Sequence, residues 1–92
     1  MYIEFDPDKN ERNIRERDLS FQRVADFDFD TALVQQDVRN PYPEVRFVAT
    51  GLLVGRLHVL CFTPAGDGIR IISFRKANLR EIRNYEKATT TD

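Results

Sequence analysis

The run Ile69-Arg70-Ile71-Ile72-Ser73-Phe74-Arg75-Lys76-Ala77-Asn78-Leu79-Arg80-Glu81-Ile82-Arg83-Asn84-Tyr85-Glu86 changes character halfway, and that change constrains the fold more than any other stretch of the chain. Ile69, Ile71, Ile72 and Phe74 are β-branched or aromatic and favour a pleated, half-buried strand over residues 69–75. Asn78 followed three residues later by Glu81 matches a capping box, in which each side chain satisfies a free backbone N–H of the first turn. A helix is therefore expected over 79–86. Leu79, Ile82 and Tyr85 or Glu86 would form its buried stripe, with Arg80, Arg83 and Lys87 turned to water. Residues 70–87 hold Arg70, Arg75, Lys76, Arg80, Arg83 and Lys87 against Glu81 and Glu86, six cations to two carboxylates and hence +4 in a chain of net charge −1. Those charges can be a solvated face, or strand and helix can present one continuous cationic surface.

A chain of 92 residues, 41% of them apolar, is long enough for one domain spanning 1–92. No apolar run reaches the ~18 residues of a membrane span. Met1-Tyr2-Ile3-Glu4-Phe5-Asp6 lacks the basic start and apolar stretch of a signal peptide, so a cytoplasmic location is expected. Cys61 is the single cysteine and His58 the single histidine. A cysteine–histidine metal site is thereby disfavoured, no metal or cofactor is expected, and a Ser-His-Asp triad would have to be built around His58. No glycine-rich phosphate loop or nucleotide fingerprint supports a small-molecule enzyme.

In chain order, Asp6-Pro7 opens a helix that runs through Arg17, with Asp6 as cap, Pro7 at the first helical position and Ile14 as the clear apolar anchor behind Phe5. Ser20 caps a second helix bearing Phe21, Val24 and Ala25 and ending near Asp28, although Asp26, Asp28 and Asp30 alternating with Phe27 and Phe29 equally fit the start of a strand. Strands follow at 31–35, 44–53, 57–63 and 69–75. They are separated by a loop at 39–43 with two prolines, a turn at Gly55-Arg56 and the turn-rich segment 64–68. Residues 89–92 read as a frayed tail. The fold class is α+β: two N-terminal helices, a four-stranded antiparallel sheet and a C-terminal helix.

Phe5-Asp6-Pro7-Asp8-Lys9, Asn13, Ser20-Phe21, Glu44-x-Arg46, Gly51, Gly55-Arg56-Leu57, Arg70-Ile71-Ile72-Ser73-x-Arg75-Lys76-Ala77, Glu81 and Tyr85-Glu86 fall in the order of a known pattern. Over residues 3 to about 87 the chain resembles the BrnT family of toxins from bacterial type II toxin–antitoxin pairs, small proteins with a RelE-like fold. The run from Arg70 to Ala77 is the most specific part. Where that family usually carries Lys-His-Gly between its helices, this chain has Glu16-Arg17-Asp18; Phe5 replaces a tryptophan, and Phe62 stands where a tyrosine is common.

The resemblance implies a metal-independent endoribonuclease that inhibits translation, with an RNA substrate and a ribbon-helix-helix antitoxin as partner, in a heterotetramer. Such cleavage needs a base for the ribose 2′-hydroxyl, cations for the charge on phosphorus, and an acid for the leaving oxygen. Arg46, Arg70, Arg75 and Lys76 are candidates for the cationic contacts, Glu44 for the base, and Tyr85 or Lys76 for the acid or positioning group. Arg80 and Arg83 are candidates for RNA binding. Each has a plainer role open to it: Glu44 and Arg46 can pair with each other, and Tyr85 can close the core under the last helix. His58 has a suitable intrinsic pKa but lies among apolar residues. An antitoxin-binding module without catalysis is the alternative to the enzyme.

Overall fold

The computed structural model describes residues 1–90. Its elements are β1 (Ile3–Glu4), α1 (Pro7–Arg17), a 3-10 helix (Phe21–Asp26), β2 (Phe27–Gln36), β3 (Phe47–Leu53), β4 (Arg56–Ala65), β5 (Gly68–Lys76) and α2 (Leu79–Thr89). Strands β2 to β5 form an antiparallel meander, and β1 joins its far edge parallel to β5, giving a five-stranded mixed sheet in the order β1-β5-β4-β3-β2.

The α+β class and the C-terminal helix agree with the sequence reading, whereas the expected four-stranded antiparallel sheet gains a fifth, parallel strand. Two residues are too few to show a period. What admits them is Gly68: a Cβ there would lie 1.9 Å from the carbonyl oxygen of Tyr2, whose backbone accepts from Ile69 N at 2.9 Å.

The second helix also differs. Ser20 caps it as expected, accepting from Gln22 N at 3.1 Å, but the turn is 3-10 and stops at Asp26. In a 3-10 helix residues three apart eclipse, so Phe21 and Val24 are buried while Ala25 is exposed. The period of two then takes over at once, and β2 begins at Phe27 instead of Thr31. At the next hairpin the turn is Val54-Gly55, one residue earlier than Gly55-Arg56, with φ of 48° and 76°. Both residues in the left-handed region match a two-residue hairpin whose twist suits the strands. Strand β3 starts at Phe47, which leaves Glu44 and Arg46 in the preceding loop.

The sheet has two covered faces. On one, Phe21 and Val24 pack with Phe27, Leu60, Ile71 and Phe74. On the other, Leu57, Val59 and Ala77 meet Ile82 and Tyr85 of α2. The capping box closes as expected, Asn78 Oδ1 accepting from Glu81 N and Glu81 Oε1 from Asn78 N, both at 2.9 Å. Leu79, however, is 60% exposed. At ~100° per residue it sits ~110° from the centre of the face formed by Glu81, Ile82 and Tyr85. The helix continues to Thr89, whose hydroxyl donates to Tyr85 O at 2.8 Å, three residues past the expected end at Glu86 and one residue into the segment expected to fray. Thr91 and Asp92 lie outside the described residues.

Helix α1 buries no side chain. Ile14, the expected anchor, is 43% exposed. Asparagines hold the helix instead. The Asn13 amide donates to Leu19 O and to Phe74 O, each at 2.9 Å, and Asn10 Oδ1 accepts from Phe21 N at 2.7 Å. Since Phe74 is in β5, the Asn13 bond covers the edge of that strand just past the reach of β1. The helix ends at Asp18, whose φ of 54° lies in the left-handed region, a conformation that aspartate tolerates better than most residues.

Candidate functional site

A β-bulge decides which side chains of β5 face outward. Phe62 pairs with Ile71 and Cys61 with Ser73, so Ile72 is an extra residue without a partner in β4. Strict alternation from Ile69 would put Arg75 on the same face as Ile71. The extra residue reverses the phase, as bulges do. Phe74 therefore enters the first core, and Arg70, Ser73 and Arg75 share the opposite face with Thr63, Cys61 and Val59.

Three adjoining clefts open on this face. One, of about 240 Å³, runs between α1 and β5 and is lined by Lys9, Arg12, Glu16, Arg17, Ser73 and Arg75. A second, of about 430 Å³, contains Lys9, Glu44, Arg46 and Arg70. The third, of about 290 Å³, lies between the 37–46 loop and β5 and contains Arg39, Tyr42, Arg46, Arg75 and Glu81. Lys9, Arg46 and Arg75 each border two of the three, so the clefts form one polar surface.

Most guanidinium groups on this surface are already paired. Arg75 makes a bidentate bridge to Glu81, at 2.8 and 2.9 Å, and donates to Lys76 O at 3.3 Å. The hydrogen bond from Arg75 holds the Glu81 carboxyl below its usual range, and the same bond raises the arginine. Arg46 Nε donates to Glu44 at 2.8 Å, and its guanidinium lies 4.1 Å from the centre of the Tyr42 ring. Arg70 reaches Glu4 at 2.6 Å. Asp37 is the deepest carboxylate of the group. It accepts from Arg39 Nε at 2.9 Å, from Arg39 Nη2 at 2.8 Å and from the Tyr42 hydroxyl at 3.2 Å. Hydrogen bonding to Arg39 holds it well below the normal carboxylate range, and its backbone N–H donates to Arg46 O at 2.7 Å. The 37–46 loop is thus tied on itself, which fixes Tyr42 beneath Arg46.

The structure brings together Arg46, Glu44, Arg70 and Arg75 among the residues chosen from sequence. It separates the others. Lys76 pairs in register with His58 and so projects from the opposite face to Arg75. Arg80 and Arg83 are exposed on the outer side of α2 and line none of the three clefts, so strand and helix do not present the continuous cationic surface that their sequence neighbourhood implied. Tyr85 donates to Thr31 O at 2.9 Å, pinning α2 to β2. Glu44 and Arg46 have the mutual pairing that their spacing also allowed. His58 is 4% exposed, with Nδ1 2.8 Å from Arg56 O and its ring against Phe74; burial pushes its pKa down.

Sequence reasoning missed Lys9, Arg12, Glu16 and Arg17 as cleft residues, and the Asp37–Arg39–Tyr42 network. The first four had a visible signal, since positions 9, 12, 13, 16 and 17 follow the helical repeat on one face. The network had only the short Asp37-x-Arg39 spacing. Among the described residues no three His, Cys, Asp or Glu side chains converge as a metal-binding group, and no helix is long and apolar enough to cross a membrane.

Comparison with known proteins places these residues in context. A search of curated proteins gives no significant match. The sequence model of one family, described as the ribonuclease toxin BrnT of type II toxin–antitoxin systems, matches residues 5–81. The matched segment contains α1, the whole meander and Glu81, and therefore every residue named in the three clefts; Arg83 and Tyr85, which line none of them, fall beyond it. With most of its length and its polar face inside the match, the chain belongs to the BrnT family of ribonuclease toxins, whose type II systems pair the toxin with an antitoxin.

Proposed function

We propose that this protein cleaves RNA as a metal-independent endoribonuclease, by attack of a ribose 2′-hydroxyl on the neighbouring phosphorus, and thereby inhibits translation until a ribbon-helix-helix antitoxin binds it. The observation that carries this reading is the position of Arg75 at the border between the α1–β5 cleft and the Tyr42–Arg46 cleft. A guanidinium has five N–H donors. Glu81 takes one from each terminal nitrogen and Lys76 O takes a third. The two left over are on the Nε side, an edge that suits two oxygens of one phosphate. Glu81 thus acts as a brace, holding the planar group before the substrate arrives, so that little reorganisation is needed as charge builds on phosphorus. Arg46 over Tyr42, with Arg70 and Lys9, extends the cationic lining along the path of a bound strand.

A second reading keeps the antitoxin interaction without the chemistry. It is favoured by the carboxylates on the face, because Glu4, Asp37, Glu44 and Glu81 each sit on an arginine and reduce its attraction for phosphate.

The test is cleavage of a synthetic RNA by the purified chain in the presence of a metal chelator. Arg75→Ala is expected to reduce the rate by about two to three orders of magnitude, the usual loss for one electrostatic donor. His58→Gln, whose ring is sequestered against Phe74, is expected to cost far less. Both variants are checked for folding by circular dichroism. Equal losses, or dependence on added metal, would overturn the assignment, and an inactive wild type would favour the binding module.

A further inference from the structure

The paired carboxylates leave the site without an obvious proton acceptor, and α1 supplies one. Glu4, Asp37, Glu44 and Glu81 each accept from a guanidinium, and Asp6 is the helix cap, accepting from Asp8 N at 2.9 Å. Glu16 is exposed, its side chain has no hydrogen bond or ion pair among the described residues, and it lines the cleft that also holds Ser73 and Arg75. Lys9 lines the same cleft and is likewise unpaired among the described residues. The two lie seven positions apart on one face of α1, about 10 Å along the axis at ~1.5 Å per residue. That spacing suits an acid and a base each one hydrogen bond of ~3 Å from opposite ends of a pentacoordinate phosphorus. Asn13, midway between them, is tied to Leu19 O and Phe74 O and keeps the helix face against β5.

Resting on the ribonuclease reading, we infer that Glu16 and Lys9 are the base and the acid of the reaction. The Glu16 carboxylate takes the proton of the 2′-hydroxyl as that oxygen bonds to phosphorus. The bond from phosphorus to the 5′-oxygen breaks, and the leaving oxygen takes a proton from the Lys9 ammonium. The products are a 2′,3′-cyclic phosphate and a free 5′-hydroxyl, and solvent returns the proton from Glu16 to Lys9. Arg12 and Arg17, beside Glu16 in the cleft, are positioned for the flanking phosphates.

The experiment uses the full chain and an RNA oligonucleotide carrying a mapped cleavage site, in three forms: unmodified, with the attacking 2′-hydroxyl removed, and with sulfur in place of the bridging 5′-oxygen, a leaving group that needs no acid. Wild type should cut the first and third and leave cyclic phosphate ends, and should not cut the second. Glu16→Gln should lower kcat on both cleavable forms by about 10²- to 10⁴-fold with KM changed only a few-fold, and Glu16→Asp should recover part of the rate. Lys9→Met should be slow on the oxygen substrate and restored by sulfur. Glu16→Gln within about threefold of wild type, or restored by sulfur, overturns the base assignment while the ribonuclease reading stands; Lys9→Met slow on both forms overturns the acid assignment. A wild type that cuts none of the three defeats both readings together.

Discussion

Replacing Asn13 with alanine tests what holds α1 to the rest of the protein. The side-chain amide donates two hydrogen bonds, to Leu19 O and to Phe74 O, both at 2.9 Å and partly buried. A net hydrogen bond contributes ~1 kcal/mol, and a carbonyl left unsatisfied away from water costs more. Two lost together amount to about 2–3 kcal/mol, slightly reduced because alanine is the better helix former. For a domain of this size ~1 kcal/mol corresponds to about 4–8 °C in Tm, so Asn13→Ala should melt about 10 °C below wild type. The control is Ile14→Ala on the same helix. With Ile14 43% exposed and no buried side chain in α1, truncation removes little apolar contact, and the shift should stay within about 3 °C. Thermal melts by far-ultraviolet circular dichroism, with urea midpoints as a second measure, decide between the two. If Ile14→Ala proves the more damaging, α1 is held by apolar contact and the asparagine account is wrong.

Two further expectations follow from the same interactions. Glu81 and Asp37 both have carboxyls depressed in the folded state by arginine hydrogen bonds; their contribution to stability is therefore complete above the unfolded carboxylate range of about 4 and is lost as pH falls through the depressed folded values. Urea midpoints taken from neutral pH to about pH 3 should fall on the acid side, less steeply in Asp37→Asn, and a midpoint that rose towards acid would contradict the pairing. Co-expressed with a ribbon-helix-helix protein encoded beside it, the chain should co-purify as a heterotetramer and lose cleavage activity; separate elution at micromolar concentration would count against that partner.

Legibility in the sequence followed the range of the interactions involved. Asp6 as cap and the Asn78–Glu81 box are set within four residues, and the structure has both. The strand over 69–75 was readable from its β-branched residues, but its facing was not. The bulge at Ile72 depends on how β4 and β5 align, and one extra residue moves Arg75 from the core face to the site. The 3-10 turn at 21–26 and an α-helix there place Phe21 and Val24 alike, so only the exposed Ala25 distinguishes them. Ile14 was overvalued because periodicity counts apolar side chains and cannot weigh an amide that bonds a carbonyl sixty-one residues away. The candidate site was legible in Arg70 and Arg75 of β5 and in Glu44 and Arg46 just before β3. Its other walls come from α1 and the 37–46 loop, and nothing in a linear reading brings Glu16 or Tyr42 to Arg75.

The pairing of arginines with carboxylates also explains how a chain of net charge −1 can act on a polyanion. Unpaired cations on this face would draw RNA from a distance through phosphate attraction, the main sequence-independent contribution to such binding. Each bridge weakens that long-range pull, but the bridges are not equivalent. Arg70 and Glu4 are the more exposed, each with about 40% of the side chain in water, and such pairs contribute ~0–1 kcal/mol. Exchanging Glu4 for a phosphate therefore costs little. Arg75 and Glu81 are more enclosed and bidentate, and Glu81 is also fixed by the capping box of α2, so exchange there would loosen the helix start as well. Under the ribonuclease reading the outer arginines are adjustable contacts that swap one anion for another. Arg75 instead remains bridged and meets the substrate with its free Nε edge. Its orientation is then set by folding, before RNA binds, which is where an electrostatic catalyst needs it.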